Sequence, residues 1–359
     1  MTQSDRKAAQ LKGTGTLPLT GQTLLAAGNP HEKLKGQSQS AASNQHEKLK
    51  GQSQLAASNQ HEKLKGQSLQ PCDPSDLNRT DTNRGWLAEI QLGFADRGDK
   101  TVLRQRSQKG PLAVQRPLYP EGPVCHTYLL HPPGGVVGGD QLTITAHVSE
   151  GAHALVTTPG ATKFYRSAGK LAHQRQILSV ASGAQLEWLP QENIHFPGAK
   201  VNFSTDIHIA PGGRFIGWEM HCFGRPALNE CFETGHIAGH CRVYLGDQLV
   251  LAEGMNLNAS LSQPARAASL RDFPMNATLL IAGETDELLI VVQDLLNQHH
   301  ESANKNNLIA GVTHIDGLLA VRALAQGTEP LLQLFTRIWQ HARAHWSGTY
   351  PLPPRIWAT

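Results

Sequence analysis

Three groups of residues in this 359-residue chain have types and spacings that could do chemistry. His221-Cys222, Cys231, His236 and His240-Cys241 place imidazoles and thiols, the favoured ligands of nickel, zinc and copper, in one short stretch. Zinc motifs bring cysteines roughly two to four residues apart, and no such pair occurs here. The stretch reads as strand and turn, where neighbouring side chains point to opposite sides, so scattered polar residues are expected rather than a closed site. A second group, Asp140, Glu187 and Glu192, could serve as the paired carboxylates of a glycan-cleaving β-helix, provided the fold brings them together. The third is glycine-rich. Pro132-Pro-Gly-Gly-Val-Val-Gly-Gly-Asp140 and Thr157-Thr-Pro-Gly-Ala-Thr-Lys163 invite a phosphate-loop reading. That reading fails, because no Gly-Lys-Ser/Thr follows, the glycines do not space as G-x-G-x-x-G, and no helix pattern follows Lys163. No Gly-x-Ser-x-Gly elbow and no His-Glu-x-x-His occurs either.

The elements that must hold these residues are mostly strands. Trp86, Ala88, Ile90, Leu92 and Phe94 alternate with more polar residues, the period of a half-buried strand. Thr101–Gln105, Leu112–Gln115 and Thr127–His131 are further short strands bounded by Gly or Pro. A repeat then emerges at Gly151, Gly183 and Gly212, each preceded by an apolar residue and two linkers and followed by an alternating strand. The glycines lie 32 and 29 residues apart. Glycine supplies the positive φ of a tight turn, so hairpin-like layers at this spacing predict a mainly β fold: a layered, β-helix-like stack of short strands.

Helices come last. Thr285 begins one, with Asp286 and Glu287 in its first turn and a stripe through Leu288, Leu289, Val292, Leu295 and Leu296. A second follows Thr328, its stripe running through Leu331, Leu334, Phe335, Ile338, Trp339, Ala342 and Trp346. Arg337, Gln340, His341 and Arg343 are expected elsewhere on that wheel.

Charge divides the chain. Residues 1–85 carry a net +4 and residues 86–359 a net −1, and no Trp precedes Trp86. A nearly neutral body argues against nucleic acid, which demands a clustered basic face. No apolar run approaches a membrane span and the first 30 residues have no signal-peptide core. Five Cys, odd and sparse, fit a reducing compartment, so a cytoplasmic location is expected. In the head, His31-Glu-Lys-Leu-Lys-Gly-Gln-Ser38 recurs at 46–53 and 61–68. One or two Leu per unit cannot bury enough surface to offset ordering entropy, so residues 1–85 are expected to be a disordered, repeat-containing extension.

Residues 86–359 closely resemble the UreD (UreH) family of urease accessory proteins. The resemblance rests on Gly110-Pro-Leu-Ala-Val-Gln-Arg-Pro-Leu-Tyr-Pro-Glu-Gly122 and Tyr128-Leu-Leu-His followed by the glycine-rich run to Asp140. It continues through Thr157–Arg166, Leu186–Glu192, Phe196-Pro-Gly-Ala199, Phe223-Gly-Arg-Pro226 with Glu230, and Pro354-Arg-Ile-Trp357. It implies a non-enzymatic role in urease maturation. Proteins of this kind bind urease apoprotein and, with UreF and the GTPase UreG, pass nickel into its active site through a tunnel. Cargo that must leave suits isolated carboxylates and imidazoles better than a closed thiolate site. On the family motifs, Glu121, Asp140, Glu187 and Glu192 are the candidate nickel-facing acids and His131 a weaker one, with nickel transient and no permanent cofactor. Arg116, Lys163, Arg166 and Arg225 are expected in internal ion pairs, because unpaired buried charge is expensive. Two other readings stay open: a β-helical hydrolase using Asp140, Glu187 and Glu192, and an adaptor that never touches nickel.

Overall fold

A computed structural model describes residues 85–259, 270–301 and 307–358. The repeats of the head, with His31, His46 and His61, lie outside the described residues. The described residues include eighteen strands and two longer helices. The first strands are β1 (Leu87–Asp96), β2 (Thr101–Lys109), β3 (Ala113–Val114), β4 (Cys125–Leu130), β5 (Gln141–Val148) and β6 (His153–Thr157). Next come β7 (Thr162–Phe164), β8 (Ala172–Val180), β9 (Gln185–Leu189), β10 (Asn193–His195), β11 (Lys200–Ile209) and β12 (Arg214–Arg225). The last six are β13 (Glu230–Cys231), β14 (His236–Leu245), β15 (Gln248–Asn258), β16 (Met275–Ala282), β17 (Leu308–Ile315) and β18 (Leu318–Ala325). Helix α1 spans Thr285–Glu301 and α2 spans Thr328–Ser347. None of the helices is long and apolar enough to cross a membrane, among the described residues.

The strands form two sheets. One runs β15-β14-β11-β8-β5-β1-β2 and the other, in its main path, β17-β18-β16-β12-β9-β6-β4-β3. Within the first, β1, β5, β8, β11 and β14 pair in parallel; within the second, β4, β6, β9 and β12 do. From β5 to β12 the chain passes repeatedly from the first sheet (β5, β8, β11) to the second (β6, β9, β12), and each coil lies on the one before, as in a β-solenoid. The repeat glycines mark one corner of these coils. Gly151, Gly183 and Gly212 have φ of 71°, 66° and 77°. Their turns differ from the hairpins that the spacing suggests, because each joins strands of different sheets. The turns also stack: Ala181 N donates to Val148 O and Ala210 N to Val180 O, both at 2.9 Å. Backbone groups that a lone corner would leave unpaired are satisfied by the next corner.

The interior divides into two apolar layers. Phe94, Leu178, Trp188, Phe203, Phe215 and Phe223 fill the space between the sheets. Trp218, Leu279, Val321, Phe335, Ile338 and Trp339 fill the space between the second sheet and the helices. The period of two accounts for this split: on β12, Phe215 and Phe223 face the first sheet, while Ile216, Trp218, Met220 and Cys222 face the helices. All seven residues of the expected α2 stripe are buried, and so is Arg343, which the wheel placed off the stripe.

Two substitutions test this account. A Cβ on Gly183 would meet nothing within 4 Å, so Gly183→Ala should cost only the left-handed backbone penalty, about 1–2 kcal/mol, in urea unfolding. Phe335→Ala removes a fully buried ring from the helix layer and should cost about 3–5 kcal/mol in the same measurement.

Candidate functional site

Strand alternation points His153 of β6 and Glu187 of β9 toward the helices on adjacent strands, diagonally placed because His153 is in register with Gln185 and Glu187 with Leu155. Helix α2 crosses over them. Arg343 lies one turn after Trp339, and that spacing keeps it on the same helix face. Glu187 is 0% exposed and Arg343 3% exposed. Arg343 donates through Nε to Glu187 Oε1 and through Nη2 to Oε2, the latter at 2.9 Å. Trp339 Nε1 donates to the same Oε2 at 2.7 Å, while Gln185 Nε2 and His153 Nε2 reach Oε1 at 2.8 and 2.7 Å. Arg343 also holds Glu121, through Nη1 at 2.8 Å and Nη2 at 3.2 Å, and His126 Nε2 meets Glu121 Oε1 at 2.6 Å. One guanidinium therefore ties a loop acid and a strand acid to α2, and each carboxylate also has an imidazole partner.

The electrostatics follow from burial. Desolvation works against ionised Glu187, but Arg343 and His153 outweigh it and hold the carboxyl well below the usual carboxylate range. Burial likewise raises Glu121, and hydrogen bonds from His126 and Arg343 win, leaving it lowered. Arg343 is held more firmly protonated by the same pairs, against its own burial.

The other acids named from sequence stand apart from this cluster. Buried Asp140 accepts from Trp86 N at 2.8 Å and Val137 N at 2.9 Å, bracing a turn. Glu192 accepts from Thr328 Oγ1 at 3.2 Å, at the start of α2. His131 lines a cavity of about 240 Å³ with Gln174 and residues 158–163, and burial pushes its imidazole down. Asp140, Glu187 and Glu192 are thus each committed to a separate set of donors. Among the basic residues, Arg225 pairs with Glu230 at 2.5 Å. Arg116, Lys163 and Arg166 are exposed and form no ion pair among the described residues, so their expected internal pairs are not seen. All three face solvent, and water solvates their charge.

A larger cavity, about 580 Å³, lies between the sheets and is lined by parts of β11, β12 and β14 to β18. Its polar lining includes Glu219, His221, Cys241, Glu253 and Arg322. Glu219 accepts from Thr205 Oγ1 at 2.5 Å and from Gln176 Nε2 at 3.0 Å, yet burial still pushes its carboxyl up. Burial pushes the His221 imidazole down to about 4. His221 Nδ1 lies 3.2 Å from His195 Nε2, and both rings stack with Phe223. Arg322 pairs with Glu253 across the cavity between sheets. The His/Cys stretch is dispersed as alternation requires: Cys222 packs on the helix side, Cys231 is exposed, and His236 meets Asn256 at 3.0 Å. Among the described residues no three His, Cys, Asp or Glu side chains converge to hold a metal ion. Sequence reasoning missed Glu219, Glu253 and Arg343. The signal for Arg343 was its four-residue step from Trp339; nothing local marked the other two.

The buried pair predicts how stability responds to mutation and acid. Arg343→Met strands two carboxylates and should destabilise by about 3–5 kcal/mol in urea unfolding. Glu121 and Glu187 are lowered in the folded state, so their contribution is complete above the ordinary glutamate value, about 4.3. It is lost as pH falls from there through the depressed values. In Glu187→Gln the slope of stability against pH in that acid window should be shallower than in the parent.

Comparison with known proteins adds what geometry leaves open. The family model described as UreD urease accessory protein matches residues 87–358. A "Urease accessory protein UreD" of Aliivibrio fischeri strain MJ11 is 50% identical over 282 residues, covering 77% of this chain and 98% of that protein. The protein of that name from Escherichia coli is 50% identical over 275 residues, with the same shares. The one from Klebsiella aerogenes is 42% identical over 276 residues, again covering 77% and 98%.

Proposed function

The chain belongs to the UreD family of urease accessory proteins, and from that membership we propose a scaffold that binds urease apoprotein and, with UreF and UreG, passes nickel into its active site. It is an accessory protein with a role in urease maturation; the partners and the metal traffic are the proposal. The family match over residues 87–358 carries this reading.

The cavity between the sheets supports nickel as cargo. Glu219, His221, Cys241 and Glu253 bring carboxylate, imidazole and thiol groups to one interior space without closing into a set. Nickel binds oxygen, nitrogen and sulfur donors, and a site of few, separated donors holds it loosely enough for release. Burial disfavours the ionised Glu219 carboxylate, and a positive charge brought beside it would stabilise that form. Glu253 faces the same space paired with Arg322, so a cation there would compete with that guanidinium for its carboxylate. Glu121 and Glu187 act differently: both are committed to Arg343, so they brace α2 against the second sheet.

The test separates conduit from adaptor. Full-length chain carrying Glu219→Gln or Glu253→Gln is co-expressed with urease subunits and the other accessory proteins. Co-purification with urease should persist while nickel-dependent urease activity falls about tenfold, the scale on which a metal site feels loss of a supporting group. Unchanged activity in both variants would leave only an adaptor.

A further inference from the structure

A buried histidine stands behind the larger cavity. His195 of β10 is 0% exposed and belongs to a ladder of rings, in register with Phe164 of β7 and Phe223 of β12. Its ring centre lies 5.3 and 5.5 Å from theirs, with planes tilted by 22° and 18°, and Phe203 meets it edge-on at 5.4 Å. Its Nδ1 has no hydrogen-bond partner. A phenylalanine would fill such a ladder without leaving a buried polar atom unpaired, which costs free energy. What the imidazole adds is its other nitrogen, Nε2, which lies 3.2 Å from Nδ1 of His221.

That contact bears on how His221 faces the cavity. Glu219 and His221 are two residues apart on β12, so strand alternation puts both on the face toward the first sheet, where they line the cavity. Glu219 engages Thr205 and Gln176 through Oε1. Its Oε2 and the Nε2 of His221 lie 4.0 Å apart, and neither has a hydrogen-bond partner among the described residues. A zinc-like divalent ion keeps about 2.0–2.2 Å to nitrogen and oxygen ligands, so one ion can touch both atoms. An imidazole nitrogen binds a cation only through its lone pair. His221 must then carry its proton on Nδ1, where His195 Nε2 is the acceptor within reach. Metal-binding histidines generally pass their other N–H to such a partner, which fixes the tautomer and the ring orientation.

We propose that His195 is a positioning residue for nickel: it accepts a hydrogen bond from His221 Nδ1 and so aims the His221 Nε2 lone pair into the cavity, where His221 and Glu219 together touch the ion. This rests on the reading that the cavity carries nickel, and it adds which two donors meet the ion and what aims one of them. The ring ladder holds His195 still, so His221 keeps one orientation before an ion arrives. No third His, Cys, Asp or Glu converges with the two donors among the described residues, which suits an ion that has to leave.

The experiment uses the full chain with nitrogen-15 in its histidine rings, titrated with nickel(II) chloride alone and followed by NMR. The chains compared are the parent, His195→Phe, His195→Gln and His221→Phe, the last identifying the His221 signals by their loss. In the parent, before nickel is added, those signals should report the proton on Nδ1; a proton on Nε2 overturns the proposal whatever the variants do. Octahedral nickel(II) is paramagnetic and broadens the signals of nuclei it approaches, so the His221 signals give a local binding curve. His195→Phe keeps the ring ladder and loses the acceptor. Its unfolding midpoint should not fall below the parent's, while the nickel concentration that broadens His221 should rise about tenfold. His195→Gln, whose amide oxygen can stand where Nε2 did, should recover most of that loss. An unchanged His221 curve in His195→Phe overturns the positioning role and leaves the nickel reading intact. So does a His195→Gln that recovers nothing, since the acceptor would then not be what counts. A parent with its proton on Nδ1 whose His221 signals nickel never broadens overturns the nickel reading of the cavity, and this role with it.

Discussion

The buried contact between Arg343 and Glu187 is the constraint on which the two-layer arrangement turns. A fully buried carboxylate is tolerable only with its charge matched and its lone pairs filled, and here Arg343, Trp339, Gln185 and His153 do both. Because two of those donors sit on α2 and two on adjacent strands, the helix can occupy only one position over the second sheet. Glu121 extends the same constraint to the loop before β4. Replacing the pair by apolar residues of similar volume could retain stability, but it would lose this directional registration of helix, sheet and loop.

The solenoid handles the opposite problem, that of filling space. Through most of its length large aromatic and branched residues close the gap between sheets. Toward β15 and β17 the lining changes to Glu219, Thr205, Gly239, Cys241 and Gly254, and a cavity opens. Small and polar side chains on facing strands leave room that water or a cation can use. The same coil geometry brings the corner loops together at the outside, where Asp140 converts backbone donors into a fixed turn.

Much of this was legible in the residues themselves. The spacing of Gly151, Gly183 and Gly212 announced stacked coils, since a tight corner needs positive φ wherever the chain changes sheet. The apolar stripes of α1 and α2 announced which faces are buried. Local rules also dispersed the His/Cys stretch, as alternation on β12 and β14 requires. They misjudged the turn, reading a hairpin where the strands part, because a turn's residues do not say which sheet receives the next strand. They misjudged Lys163 and Arg166 too, since a motif says that a charge is present and not whether the surrounding loops bury it.

What the sequence by itself determined, then, is everything carried by short-range periodicity: strands, corners, helix faces and, through shared motifs, the family. Only tertiary structure decided which charges meet. Glu187 and Arg343 are 156 residues apart, and Asp140 and Trp86 are 54 apart. The stacking register brings such residues together, and no local pattern records it. The same register separates Asp140 from Glu187 and gathers Glu219, His221, Cys241 and Glu253 around one cavity. Electrostatic partnership in a buried layer depends on distances of a few ångströms between elements, and those are set by packing.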